Sequence, residues 1–255
     1  MKVIAVGSDP EFFIQTKEGT IVPSRGIIPG TKTKPRPLIW GAVHRDNVLC
    51  ELNPLPAKSE EEFSYNFFRL KKEVEEKFLD KKNLSLVTKT SHVFDPSMLN
   101  YREAQEFGCS GDSSIWDREQ PPIDPFTCLR SAGGHIHIAI EDMRQSDVVA
   151  VISNLDLLVS VPLVQLDTDK FRRTMYGRAG CFRIKPYGIE YRTPSNAWCS
   201  TDELRRWVFR QVTTAVEAPV LVLGPASKFV RECIDNSDVA NSEYLCQLFS
   251  LEVPV

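Results

Sequence analysis

The chain has 255 residues, 42% of them hydrophobic, and its 31 basic against 34 acidic side chains leave a net charge of -3. That length and apolar content can build one sizeable core, and a single domain over 1–255 is expected. The near-neutral balance excludes a whole-surface electrostatic footprint for DNA or RNA. Lys2 is followed by about five apolar residues before the first acidic one, too few for a signal core or a membrane span, so a cytoplasmic protein is expected.

In chain order, residues 3–14 read as a strand interrupted by Pro10, which cannot donate to a ladder and favours an edge or bulge there. The Gly/Pro/Lys-rich stretch 22–37 reads as a long loop of the kind that usually carries function. Residues 42–52 return to strand-like alternation, ended by Asn53-Pro54-Leu55-Pro56. Ser59 with Glu62 forms a capping box, and Phe63, Phe67, Leu70, Val74 and Phe78 fall on one stripe, which predicts a helix to Lys82. A strand near 84–90 leads into 91–127, proline-bearing and without sustained period, read as a loop-rich insertion near the site.

Residues 133–140 read as a strand and 147–158 as a helix that Pro162 ends or kinks. From Phe171 to Arg192 the chain is dense in Arg, Gly and Tyr, and a strand closes at Tyr191. Ser200 with Glu203 is a second capping box, opening a helix to Glu217, and two short helices over 226–235 and 240–250 complete a helical 202–255 segment. Strands and helices interspersed with long loops make an α+β chain with a largely antiparallel sheet. The seven cysteines form no C-x-x-C pair and read as reduced, mostly buried small hydrophobes; Cys109 and Cys181 are the candidates for a catalytic thiol.

Three pairs of polar residues stand one residue apart within apolar runs: Asp9 and Glu11, His135 and His137, Glu190 and Arg192. A period of two aims each pair at one face of its strand. If the strands share a sheet, carboxylates, imidazoles and a guanidinium converge where apolar side chains would be expected. Asp9, Glu11, Glu51 and Glu190 are hard oxygen donors, and burying several ionised carboxylates together demands a compensating cation. Magnesium suits few carboxylates plus phosphate, and an imidazole ligand, His135 or His137, also admits manganese.

The cations Arg172, Arg173, Arg178, Arg183, Lys185 and Arg192 lie close together in the chain, among Gly177, Gly180 and Gly188. Guanidinium forks match phosphate oxygens, and phosphoryl transfer needs fixed positive charge. Gly30-Thr31-Lys32-Thr33 lacks the spacing of a P-loop, and Pro35 and Pro37 forbid the helix that should follow. No G-x-G-x-x-G, G-x-S-x-G or zinc-deaminase signature occurs either.

GSDPEFFIQT resembles the glutamine synthetase strand whose two acidic residues bind two metals, GGHIHI its later H-x-H strand, and RAGCFRIKPYGIEYRTPSNAW its arginine segment ending in E-x-R. The whole chain resembles more closely the phage-encoded carboxylate-amine ligases (amidoligases) of the glutamine synthetase and γ-glutamylcysteine ligase superfamily. There the G-T-K loop, the D-N-x-x-x-E-x-N-P strand (Asp46 to Pro54) and the Y-G-x-A-G-x-x-R segment (Tyr176 to Arg183) recur. Where that family carries G-C-D-P-D, this chain reads Gly108-Cys109-Ser110-Gly111-Asp112.

The resemblance implies a curved antiparallel sheet of the glutamine synthetase catalytic-domain type with helices on its outer face. It implies metal ligation by Asp9, Glu11, Glu51, His135 and Glu190. It implies ATP-phosphate contacts from His137, Arg173, Arg178, Arg183, Lys185 and Arg192. Of these, Arg178, Arg183 and Arg192 would be catalytic, with Asp46, which would ligate metal or bind the amine. The expected activity is ATP-dependent amide formation with Mg2+ or Mn2+, joining a small-molecule or peptide carboxylate to an amine, a modified nucleotide base being one candidate substrate. No membrane partner is expected, and the cytoplasm would be that of a bacterial host. The competing expectations are a guanidino kinase and a non-catalytic binding protein of the same fold.

Overall fold

Pro10 lacks the N–H that a continuous ladder needs, and the chain changes sheets across it. The computed structural model describes residues 1–105, 113–116, 127–221 and 225–254. Its first half runs through β1 (Lys2–Ser8), β2 (Glu11–Thr16), β3 (Ile21–Val22), β4 (Arg36–Leu38), β5 (Gly41–Asp46) and β6 (Leu49–Pro54), then α1 (Glu60–Val74). Next come β7 (Leu84–Val87), β8 (Ser91–Val93), α2 (Arg102–Gln105), β9 (Ser113–Ser114), β10 (Leu129–Ser131) and β11 (Ile136–Glu141). The second half contains α3 (Val148–Leu155), α4 (Val161–Leu163), α5 (Lys170–Met175), β12 (Cys181–Lys185), β13 (Gly188–Tyr191), α6 (Asp202–Glu217), α7 (Pro225–Asp235) and α8 (Val239–Leu248). This is the α+β class that the residue pattern predicts.

Among the described residues, every pairing between these strands is antiparallel. One sheet has the order β1-β11-β13-β12-β9, a second has β3-β2-β6-β5-β4 with β7 also on β2, and β10 and β8 pair in a small third sheet. The two large sheets flank the site. They are stitched at the break. Val6 and Ala57 exchange backbone bonds of 2.8 Å, the Leu52 N–H reaches the Pro10 carbonyl at 3.0 Å, and the Glu11 N–H reaches that of Gly133 at 2.9 Å. Two expectations are corrected here. Asp9 and Glu11 straddle Pro10 rather than sharing a strand, and the polar pairs converge at a seam between two sheets rather than within one.

Helices cover the apolar backs of the sheets. Ser59 caps the helix by accepting from the Glu62 N–H, but Glu62 accepts from the Lys58 N–H, one residue before the cap, rather than from Ser59, so only half of the expected box forms. Phe63, Phe67, Leu70 and Val74 of α1 are buried, Phe63 stacking on Trp198 and Phe67 meeting Phe12 of β2. A π turn (Glu75–Leu79) and a 3-10 turn extend α1 to Lys82. The second cap moves one residue: Thr201, not Ser200, accepts from the Leu204 N–H, while the Ser200 hydroxyl turns back to the Ala197 carbonyl.

The helix expected to end or kink at Pro162 runs to Leu163, one residue beyond it. A π turn over Asp156–Ser160 precedes α4, whose first turn needs no N–H from proline. The run Gln145–Leu163 is long and apolar enough to cross a bilayer, yet 78% of its apolar window is buried in the fold, which is the position of a core helix. Residues 42–52 resolve into a hairpin turning at Asn47, φ 56°, and the segment expected to close in one strand forms α5 and the β12–β13 hairpin.

Candidate active site

Antiparallel partners lie on the same face of a sheet, so register alone builds most of the site. In the first sheet, Gly7 of β1 lies opposite His137 of β11, His137 opposite Glu190 of β13, and Glu190 opposite Arg183 of β12. Asp9, just past β1, joins this row: its Oδ2 is 3.1 Å from His137 Nε2 and its Oδ1 is 3.1 Å from His135 Nδ1. Asp9, His137 and Glu190 each offer a ligand atom within 4.8 Å of the others. Burial acts to raise the Asp9 carboxyl, but the two imidazoles outweigh it and hold the group well below the ordinary range.

In the second sheet, Glu11 of β2 lies opposite Glu51 of β6, and Glu51 opposite His44 of β5. Asp46 is two residues beyond His44 and therefore on the same face. Glu11, Asp46 and Glu51 form a second group of ligand atoms within 4.8 Å of one another. At an effective dielectric of about 20, each ionised pair at that separation repels by about 3 kcal/mol. The cation bonded to this group is Lys32, whose Nζ is 2.9 Å from Asp46 Oδ2. Burial, then the Asp46 and Glu51 charges, push the Glu11 carboxyl well above the usual range; burial likewise raises Glu51, its close contact with His44 partly opposing. One lysine does not neutralise three clustered carboxylates, Glu51 buried and Glu11 and Asp46 half-buried. The donor set therefore fits a divalent metal, which the described residues would hold through Glu11, Asp46 and Glu51 on one side of the seam and Asp9, His137 and Glu190 on the other.

A cleft of ≈ 580 Å³ opens over both rows, lined among others by Gly7, Asp9, Lys32, Glu51, His137 and Tyr187. Two glycine features keep its walls in place. Gly7 leaves the floor beside His137 without a side chain, and a Cβ on Gly134 would run into the Ser195 carbonyl that packs behind the H-x-H strand.

The two imidazoles stand differently toward Asp9 and Glu190, His135 Nδ1 lying 3.9 Å from Glu190 Oε1. His137 stands with Asp9 and Glu190, with its Nδ1 2.5 Å from the Tyr187 hydroxyl, whereas His135 is buried behind Asp9 with its Nε2 3.0 Å from the Tyr176 hydroxyl. Burial and the nearby Arg192 charge lower the His135 pKa; His137 rises, because contact with Asp9 outweighs burial.

The basic segment divides as well. Lys185 Nζ is 2.7 Å from Glu190 Oε2, and the Arg192 guanidinium bonds Glu190 Oε1. Arg183 shares their row. Arg178 lies in the turn before β12 and donates through Nε to the Arg173 carbonyl at 3.3 Å. Arg173, expected among the phosphate contacts, is corrected: it is buried, donates to the Gly177 and Thr193 carbonyls and pairs with Asp167. Arg172 is likewise spent on the carbonyls of Ala132, Thr193 and Pro194. These two arginines anchor the loop that follows β13.

Sequence reading missed His44, which alternates with Val43 and Arg45 as on any half-exposed strand, and Asn53, which donates to Glu51 at 3.0 Å. Lys32 was in view within its G-T-K loop, without a role. Cys181 is buried at the start of β12, and Cys109 and the departing 108–112 segment lie outside the described residues.

Residues 122–221 match the family model described as phage phiEco32-like COOH.NH2 ligase-type 2. That is the family to which the strand and arginine motifs pointed, and the match supports a carboxylate-amine ligase in general terms. The matched segment contains His135, His137, Arg178, Arg183, Lys185, Glu190 and Arg192. Asp9, Glu11, Asp46 and Glu51 precede it and are joined to it by the seam. No curated protein matches the chain.

Proposed function

We propose that the protein is an ATP-dependent ligase that joins a carboxylate to an amine through an acyl phosphate. The observation that carries this reading is the pair of facing ligand groups, one rich in carboxylates and one bordered by Lys185, Arg183 and Arg192, over a single cleft. In the reaction, an oxygen of the substrate carboxylate attacks the γ-phosphorus of ATP and ADP leaves. The amine nitrogen then attacks the acyl carbon, phosphate leaves, and the nitrogen loses a proton.

A divalent cation bound at each group, Mg2+ or Mn2+, would neutralise phosphate charge. The chain's own residues do the rest. Arg183, Arg192 and Lys185 supply fixed positive charge toward the oxygens of the transferring phosphoryl group, and Arg178 extends that charge from the turn before β12. Asp9 keeps His137 oriented, with Tyr187 fixing the other ring nitrogen. Asp46 acts with Glu11 and Glu51 as a ligand, and Lys32 holds its carboxylate in place. The small side chains on the cleft floor leave room for substrate.

The test is a product assay with ATP, Mg2+, a panel of carboxylic and amino acids, and hydroxylamine as a general amine acceptor. Hydroxamate, ADP and phosphate in equal amounts are expected, and Glu11→Gln should lower the rate at least about a hundredfold. ADP with a phosphorylated nitrogen and no free phosphate would make the protein a kinase. Absence of metal-dependent ATP binding by calorimetry would make it a non-catalytic relative.

A further inference from the structure

His44 carries an inference that the family resemblance does not contain. Its side chain is 3% exposed, and neither ring nitrogen has a hydrogen-bond partner. Nε2 points at Glu51, 3.4 Å from Oε2, a contact without hydrogen-bond geometry. A buried polar atom left unpaired costs about 1–3 kcal/mol, so an imidazole whose Nδ1 has no partner and whose Nε2 has only the long contact to Glu51 calls for a better one. The register supplies one. Glu11, Glu51 and His44 form a single row across β2, β6 and β5, and Asp46 shares their face. The imidazole therefore borders the same carboxylate group that demands a cation, and it lines the same cleft.

We propose that His44 is a nitrogen ligand of the cation held by Glu11, Asp46 and Glu51, making this site a mixed oxygen and nitrogen site that prefers Mn2+ to Mg2+. The proposal rests on the reading that this acidic group binds a cation at all. An all-oxygen set of three carboxylates would suit Mg2+ and give no reason for an unpaired imidazole beside it. A borderline donor shifts the balance toward transition metals. With an imidazole in each group, His137 in one and His44 in the other, the two sheets contribute sites of matching donor chemistry.

The chain has only four histidines, so ring-15N labelling gives a spectrum that can be assigned completely. Wild-type protein loaded with 113Cd2+ should show one-bond 113Cd–15N coupling on a ring nitrogen of His44. Mn2+ should compete with Mg2+ at least about tenfold better in wild type than in His44→Asn, which should still bind Mg2+. Two equivalents of cadmium bound with His44 uncoupled would overturn the proposal and leave the ligase reading intact. Cadmium, manganese and magnesium all failing to bind would overturn it together with that reading. If His44→Asn does not fold, the coupling measurement on the wild type decides alone.

Discussion

The two ligand groups differ more in what surrounds them than in what they contain. Glu190, on β13, sits between Lys185 and Arg192, and Asp9 between two imidazoles, so the first group is close to electrically balanced as it stands. Glu11, Glu51 and Asp46, on the other sheet, face one lysine and His44. The comparison teaches that a carboxylate in an apolar strand has two physical solutions, a fixed counterion or a mobile one. On the proposed reading each group holds a cation; the first also keeps fixed counterions that can meet phosphate, while the second depends on its metal for balance.

Neutralising substitutions should therefore have opposite signs in the two groups. In metal-free protein, Glu190→Gln removes the buried carboxylate that both Lys185 and Arg192 bond and should lower stability by about 3–5 kcal/mol. A denaturant titration showing no loss would break the comparison at its balanced end.

Asp156 separates the cluster effects from those of the core behind β13. Tyr191 projects away from Glu190 and Arg192, and its hydroxyl donates to Asp156 Oδ1 at 2.7 Å while lying 2.5 Å from Ser160 Oγ. Burial pushes the Asp156 carboxyl up to about 7 from its ordinary 3.8. A carboxyl with a raised folded pKa contributes stability that is complete below its unfolded pKa and is lost as pH rises through the folded value. At about 1.4 kcal/mol for each tenfold change in proton affinity, stability should fall by about 2–4 kcal/mol between pH 4 and pH 7 from this group. Asp156→Asn, compared with wild type by urea unfolding across that range, should flatten the decline. An unchanged slope would assign it elsewhere.

The smallest effect belongs to the unbalanced group. Glu11→Gln should raise the stability of metal-free protein by about 1–2 kcal/mol, because it removes repulsion with Glu51 and Asp46. Added Mn2+ should stabilise wild type more than this variant. A destabilised Glu11→Gln protein would mean that the three carboxylates are not in conflict.

Much of the site was legible because strand periodicity is short-range. H-I-H and E-Y-R announce their faces within three residues, and the register of β11 and β13 then places His137 against Glu190. What spacing does not carry is which sheet a strand joins. Asp9 and Glu11 look like one more alternating pair, but Pro10 sends them to opposite sides of a seam whose stitches come from Gly133, Leu52 and Ala57, far along the chain. Nor does residue type say which way a charge turns. Arg172 and Arg173 share a short segment with Arg178 and Arg183, yet the carbonyls at 193 and 194 absorb the first two. The β12–β13 hairpin was hidden because Gly188 and Tyr187 read as part of a polar, arginine-rich loop. Its turn is what brings Arg183 back against Glu190.

Counting bound Mn2+ by equilibrium dialysis tests the central claim most directly, with wild type, Glu51→Gln and His137→Gln compared at saturation. Two ions per wild-type chain and one in each variant are expected, since each substitution removes a ligand from a different sheet. A wild-type chain that binds a single ion, or variants that both keep two, would contradict the assignment of one cation to each side of the seam.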